Sequence, residues 1–380
     1  MSSTELRHTV LSAAKRVVVK IGSQVLIDEK GELDRHYLSR MAKQIAALRQ
    51  RSMEVTLVMS GAISAGCTEL GINKRPGDIA EQQAVAAVGQ PRLMVRLHEA
   101  FSGHDLKPAQ LLLTRSDFDD RLRFLNIRNC VNKLHKHGCI PVINENDTVA
   151  VEELEAMHFG ENDILAAMIC NALRADALVL LTVVEGLQDQ DGSCIDLVQD
   201  IHEALSKVRA TRSRLGKGGM QTKVQAAKLV CDTGEIAVIA NGREADVLPR
   251  LFDGERLGTV FLPATRKLDS RQRWIGMTRR PAGTITIDDG AVTALRRRGK
   301  SLLASGVTGL TGQFDRGEVI LVRDEQGREV ARGLTNYPAD ELRLIKGKRS
   351  SQFARILGRT AFAEIMHRDN LVVTQTGQVN

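Results

Sequence analysis

Flat side chains are scarce in this chain: nine Phe, two Tyr and one Trp make up 3% of 380 residues. So few aromatics argue against holding single-stranded nucleic acid by base stacking. Cysteine is sparse as well. The six (Cys67, Cys130, Cys139, Cys170, Cys194, Cys231) are scattered and contain no C-x-x-C pair. That pattern gives neither a zinc site nor a disulfide framework, and reduced thiols in a cytoplasmic protein are the expectation. No apolar run approaches the length of a membrane helix. Lys15, Arg16 and Lys20 interrupt the first apolar stretch, where a secretory leader needs an unbroken one. No G-x-x-x-x-G-K-[ST] loop, no G-x-S-x-G elbow and no His/Cys constellation occurs. His135 and His137 lie together on a helical pattern and are read as surface residues.

What is present is an ordinary globular balance, 43% hydrophobic and 26% charged, with 53 basic against 46 acidic residues. The formal charge of +7 favours anionic partners without choosing among nucleotides, carboxylates and RNA. Strand-like runs at Arg16–Ile21, Val55–Met59, Gln110–Leu113, Cys139–Ile143, Ala177–Thr182 and Ile236–Ala240 alternate with helical patterns. Leu38, Met41, Ile45 and Leu48, spaced three and four apart, mark the first such helix, and others fall near Ala84–Ala100, Arg121–His135, Asn162–Leu173 and Gly218–Cys231. Continuous apolar strands between amphipathic helices predict an α/β fold: a three-layer α/β/α sandwich on a mostly parallel sheet. Ligands in such folds gather at the carboxyl ends of the strands. From Thr265 to Arg280 the chain turns basic and loop-like, and beyond Pro281 short segments punctuated by Gly and Asp predict a small β-rich module. The boundary is placed near residue 270.

Four stretches carry candidate chemistry. VVVKIGS ends a buried strand in Lys20 and the turn Gly22-Ser23, where a lysine beside a closely approachable backbone suits phosphate. The competing reading is a solvated edge charge. VMSGAISAG runs from a strand into a small-residue helix start at Ser60, which suits either an anion or tight helix–sheet packing. GKGGMQTK is a glycine-rich loop feeding a helix that holds Lys223 in its first turn, where acidic residues are normally preferred, so a bound anion is expected. The fourth stretch, PVINENDTVA followed by FGENDILAA, is dense in amides and carboxylates that suit a small ligand with an amino group. A turn plus a helix cap is the alternative reading. Lysines around phosphate-suited loops match phosphoryl transfer, which asks mainly for positioning and charge stabilisation.

In this order VVVKIGS, VMSGAISAG, LLLTRSDF, PVINENDTVA, FGENDILAA, LLTVVEGL and GKGGMQTK closely resemble the glutamate 5-kinases of the amino-acid kinase superfamily. The tail from about Gly283 looks like the PUA domain that many of them carry. The resemblance implies a catalytic domain over 1–268, a linker over 269–282, a PUA domain over 283–366 and a tail over 367–380. It implies ATP-dependent phosphorylation of the side-chain carboxylate of L-glutamate, the first step of proline synthesis, with Mg2+ carried by the ATP and no protein metal site. By the same resemblance Lys20, Lys223 and Asp163 are catalytic, Asp163 orienting the two lysines, and Ser60, Asp147 and Asn162 bind glutamate. Lys20, Gly22, Thr182, Val183, Lys217, Gly218, Gly219, Met220, Gln221, Thr222 and Lys223 would line the nucleotide pocket. Glu145 and Asn146 are then structural support, and Glu152–His158 a lip over the substrate. Proline as feedback inhibitor and a homo-oligomer are further implications.

Two departures touch nucleotide recognition. Val183 stands where the family usually has Asp, with Gln188 where an aromatic is common, and GTGGM is here GKGGM, which adds Lys217 near the phosphates. The nearest alternative is a sister kinase acting on N-acetylglutamate or aspartate; a free α-amino group wants a carboxylate such as Asp147, whereas an acetylated nitrogen does not. An RNA-binding role of the tail is the alternative from another class, since Arg296, Arg297, Arg298 and Lys300 suit a phosphate backbone as well as a solvated helix end.

Overall fold

The computed structural model describes residues 3–150, 161–189, 191–201, 204, 219–263, 275, 281–359 and 362–374. Contacts divide the chain into a larger unit, Met1–Phe118 with Leu122–Lys267, and a smaller one, Leu268–Asn380 with Asp119–Arg121.

The larger unit opens with α1 (Ser3–Ser12), β1 (Arg16–Ile21), α2 (Ser23–Leu26), α3 (Arg35–Gln50), β2 (Glu54–Met59), α4 (Ala62–Leu70) and α5 (Ile79–Ser102). It continues through β3 (Lys107–Leu113), α6 (Ser116–Asp119), α7 (Arg121–Lys136), β4 (Cys139–Glu145), α8 (Glu161–Leu173) and β5 (Ala177–Thr182). The last described elements are β6 (Leu197–Val198), α9 (Gly219–Cys231), β7 (Ile236–Asn241), α10 (Val247–Phe252) and β8 (Thr259–Phe261). The strands form one sheet in the order β3-β4-β2-β1-β5-β7-β8-β6. Every pairing in it is parallel except β7 with β8.

β1 explains the layering. Its side chains alternate across the sheet. Val17, Val19 and Ile21 join Leu38, Met41, Ile45 and Leu48 of α3 and Leu93, Leu97 and Phe101 of α5 in one buried cluster. Val18 and Lys20 therefore point to the opposite face. There α8 packs on β1 and against α9, burying Leu165 through Cys170 almost completely. A strand buried on both faces needs a continuous apolar run, and VVVKI supplies one with a single charged exception. The helices start where the sequence offers caps: Asp34 accepts from the Tyr37 N–H, and Asp78 from the Glu81 N–H.

Two local features differ from the sequence reading. The two-residue β6 and the three-residue β8 add a mixed edge to the sheet, too short to leave a pattern of their own. His135 is not a surface residue: it is 5% exposed, with Nε2 3.0 Å from Thr56 Oγ1. Its neighbours Lys133 and Lys136 give the helix a polar look, but position 135 lies on the side facing β2. Glu152–His158 lies outside the described residues, as does most of 269–282.

The smaller unit holds a five-stranded sheet in the order β10-β9-β11-β12-β13, with β9 (Gly283–Ile287), β10 (Val307–Gly312), β11 (Val319–Asp324), β12 (Glu329–Leu334) and β13 (Leu371–Val373). It has its own core around Ile285, Ile287, Val322, Val330, Tyr337 and Phe353. β13, within the stretch read as a tail, pairs antiparallel with β12. Arg296, Arg297 and Arg298 end the helix Asp289–Arg298, which the Asp288 side chain caps and Gly299 closes.

Candidate active site

β1, β2, β4 and β5 run parallel, so their carboxyl ends share one edge of the sheet, and the polar residues singled out by sequence collect there. β1 delivers Lys20 in its last turn of pleat. Gly22 follows, and its N–H donates to the Leu181 carbonyl at 3.0 Å. A Cβ at Gly22 would lie 3.2 Å from that oxygen and 3.8 Å from Lys20 Nζ, so a side chain would crowd the lysine's surroundings.

Asp163, in the first turn of α8, is fully buried and is bracketed by two ammonium groups. Lys20 Nζ is 2.8 Å from Oδ1 and Lys223 Nζ is 3.1 Å from Oδ2. Thr222 Oγ1 lies 3.2 Å from Oδ2 and 3.1 Å from the Gly219 carbonyl, two acceptors for its one proton, and Lys223 Nζ also donates to that carbonyl, at 3.3 Å. Burial by itself would raise the Asp163 pKa; the charges and hydrogen bonds of Lys20 and Lys223 outweigh it and hold the carboxyl below its ordinary value. Lys223 thus has a carboxylate partner at a helix start where the macrodipole disfavours a cation. The residues involved come from β1, α8 and α9, far apart in sequence.

Asn162, one residue before Asp163, is 5% exposed. Its Nδ2 donates to Ser60 Oγ at 2.7 Å and to Asn144 Oδ1 at 3.2 Å. Its Oδ1 is buried and has no hydrogen-bond partner among the described residues. Ser60 sits between β2 and α4. Gly61, with φ of 112°, makes the left-handed turn into α4, and no side chain caps that helix, which leaves its first N–H groups to other acceptors. Deeper in α4, a Cβ at Gly66 would lie 1.9 Å from the Val85 carbonyl oxygen, and one at Gly89 would lie 1.8 Å from the Ala62 oxygen. The small residues of VMSGAISAG therefore serve close packing of α4 on α5 as well as the turn at Ser60.

Asp147 lies in the turn after β4, on the wall of a cavity of about 460 Å3 that also includes Gln90, Gln110, Glu145 and Asn146. Asn146 holds this turn: its N–H donates to the Leu113 carbonyl, its own carbonyl accepts from the N–H groups of Val149 and Ala150, and its side chain accepts from Thr148. The first polar cluster is thus a structured turn that presents Asp147. Gln90, on α5, was missed by sequence reasoning, and Asn144, inside the stretch PVINENDTVA, was given no role; these two buried amides join the Asn162 side to this wall.

Thr182 ends β5 half-buried, and its carbonyl accepts from the Gly242 N–H at 2.8 Å. The next residues, Val183 and Val184, are 40% and 38% exposed. Met220 and Gln221 follow Gly219 in the first turn of α9, both half-buried. Lys217 and Gly218 lie outside the described residues.

The amino acid kinase family model matches residues 15–241, and the PUA domain model matches residues 283–357. A glutamate 5-kinase of Geobacter sp. strain M21 is 45% identical over 375 residues, 97% of this chain and all of that one. Another, from Caldanaerobacter subterraneus, is 43% identical over 370 residues, 96% of this chain and 99% of that one. The chain belongs to the glutamate 5-kinase family. A UMP kinase structure from Bacillus anthracis aligns with 66% of this chain and 97% of its own at 16% identity, with a TM-score of 0.44. The family has a kinase unit on the mostly parallel sheet and a PUA domain in the β-rich module, as the chain's segments led us to expect. Among the described residues no helix is long and apolar enough to cross a membrane.

Proposed function

We infer that this chain is a cytoplasmic kinase that transfers the γ-phosphoryl group of ATP to the side-chain carboxylate of L-glutamate, giving L-glutamyl 5-phosphate and ADP, the first step of proline biosynthesis. One observation carries the reading: two lysines converge on buried Asp163, and the adjacent residue, Asn162, offers an unmet acceptor beside Ser60. Donor and acceptor sites thus adjoin at a single helix start.

The attacking carboxylate is ionised at neutral pH, so no general base is required. Catalysis then rests on positioning and charge. Asp163 sets the two ammonium groups, and Lys20 and Lys223 meet the charge that spreads over the phosphoryl oxygens. A lysine about 4 Å from such an oxygen contributes about 4 kcal/mol at an effective dielectric of about 20, and each ~1.4 kcal/mol retained in the transition state is a factor of ten in rate. Mg2+ carried on the ATP phosphates would add to the positive charge that Lys20 and Lys223 supply there. Gly22, Thr182 and the loop from Lys217 to Lys223 border the nucleotide, with Val183 as an apolar wall and Lys217 as added positive charge. Asp147 and Asn162 Oδ1 accept from the α-ammonium of glutamate, and Ser60 with the N–H groups of α4 receives carboxylate oxygen. Proline competes for this clamp, and the kinase unit self-associates.

ATP-dependent hydroxamate formation from glutamate, run on wild type and Lys223→Ala, tests the mechanism. A fall of about a hundredfold or more in kcat is expected on losing a charge aimed at the transition state; equal rates would overturn it.

A further inference from the structure

A row of four side-chain amides runs from the surface to the glutamate clamp. Gln90 Nε2 donates to Gln110 Oε1 at 2.9 Å, and Asn144 Nδ2 donates to Gln90 Oε1 at 2.9 Å. Asn162 Nδ2 in turn donates to Asn144 Oδ1 at 3.2 Å. Gln90, Asn144 and Asn162 are all at least nine-tenths buried, whereas Gln110 is exposed. Each amide points the same way, NH2 outward and carbonyl inward along the row, down to Asn162, whose own oxygen has no hydrogen-bond partner among the described residues.

That polarity has chemical content. Asn162 faces Ser60, and a hydroxyl both donates and accepts, so Ser60 is indifferent to which end of the Asn162 amide it meets. The Met59 carbonyl lies 3.5 Å from Asn162 Nδ2 and adds little preference. Asn144 Oδ1 breaks the tie because it can only accept. It is itself fixed at two points: it accepts from the Glu145 main-chain N–H at 2.9 Å, and its NH2 group is held by Gln90. Without Gln90 the Asn144 amide loses the second point, and a buried NH2 left unmet is driven to turn toward another partner. Asn162 is then free to present NH2 instead of oxygen.

We propose that Gln90 is a positioning residue for substrate selectivity: through Asn144 it holds the Asn162 amide with its oxygen toward the α-ammonium of glutamate. This rests on the kinase reading above, with Asn162 in the clamp. Gln90 acts on the clamp through Asn144, and it lies on α5, outside every loop singled out by sequence. It also borders the cavity of about 460 Å3, which gives a replacement side chain room.

The test compares L-glutamate with glutarate, which lacks only the amino group, in wild type, Gln90→Met and Gln90→Glu. Gln90→Met keeps the length but removes the acceptor. Its KM for glutamate is expected to rise about tenfold, with the kcat/KM preference for glutamate over glutarate falling by about the same factor, because hydrogen bonds to charged groups are of that worth. The KM for ATP should stay within twofold. Gln90→Glu retains an acceptor for Asn144, with Gln110 able to turn and donate, and should keep most of the preference. A folded Gln90→Met with wild-type preference overturns the proposal, as does a Gln90→Glu impaired equally, since a merely structural role would not restore selectivity with the acceptor. Should Gln90→Met fail to fold, Gln110→Leu at the exposed end decides: a smaller loss of preference supports the relay, and an unchanged preference overturns it. A wild-type protein inactive on glutamate would instead defeat the kinase reading itself.

Discussion

Asp163 and His135 are both buried and titratable, and they respond to acid for different reasons. Burial disfavours the Asp163 carboxylate, yet Lys20 and Lys223 hold its pKa below the usual value. Its contribution to stability is therefore fully present above the ordinary carboxylate pKa of about 3.9 and is lost only as pH falls through the lowered native value. Replacing it by Asn leaves two neighbouring ammonium groups without their shared counter-charge. We expect Asp163→Asn to lower kcat about a hundredfold or more, the scale of misplaced reacting groups, with a smaller change in the KM for glutamate; steady-state kinetics checks this. His135 behaves otherwise. Burial first, then Arg16 and Arg49 against the opposing pull of Glu54, pushes its imidazole from 6.5 down to about 4. The unfolded chain takes up this proton at higher pH than the native one. Stability from the neutral ring is thus whole above 6.5 and declines as pH falls toward about 4. Thermal melts of wild type and His135→Gln across this range should show a shallower acid slope in the variant, and parallel slopes would refute the assignment.

At the scale of elements, the crossing of α4 and α5 ties packing to the clamp. A Cβ on Gly89 would sit 1.8 Å from the Ala62 oxygen and 2.3 Å from the Gly66 nitrogen, both main-chain atoms of α4. Gly89→Ala must therefore push α4 away, at a cost of about 1–3 kcal/mol or more for an overpacked contact. Because α4 begins two residues after Ser60, the KM for glutamate should rise together with the loss of melting temperature; a destabilised variant with unchanged KM would separate the crossing from the clamp. The sequence revealed much at this scale. Apolar runs located β1, β2, β4, β5 and β7, and the glycine turns after them pointed to the loops that hold Lys20 and Ser60. The resemblance named the lysines and Asp163, and the structure brings these three together. Harder to read were features set by distant neighbours. Gln90 and Asn144 are 54 positions apart and make one hydrogen bond, so neither residue's local spacing announces it. His135 was misread because its flanking lysines carried the pattern while its own contact lies on β2.

For the whole molecule, the division of labour follows from two separate cores. One is built from β1, β2, β5, α3 and α5; the other, around Tyr337 and Phe353, shares no residue with it. Lys20, Ser60, Asn162, Asp163 and Lys223 all belong to the first unit, where the parallel strands β2 and β1 and the starts of α8 and α9 bring them to one edge of the sheet. We propose that residues 1–268 fold and catalyse without the PUA domain. The chain ended after Leu268 should melt cooperatively and retain a KM for glutamate within about threefold of the full chain, a change of well under the ~1.4 kcal/mol that a tenfold effect represents. Heating the full chain should give two heat-absorption peaks, since domains with separate cores unfold as separate cooperative units. A single peak, together with an inactive truncated chain, would mean that the kinase unit depends on the second domain for its stability, and the acceptor and phosphoryl sites could no longer be ascribed to one sheet alone.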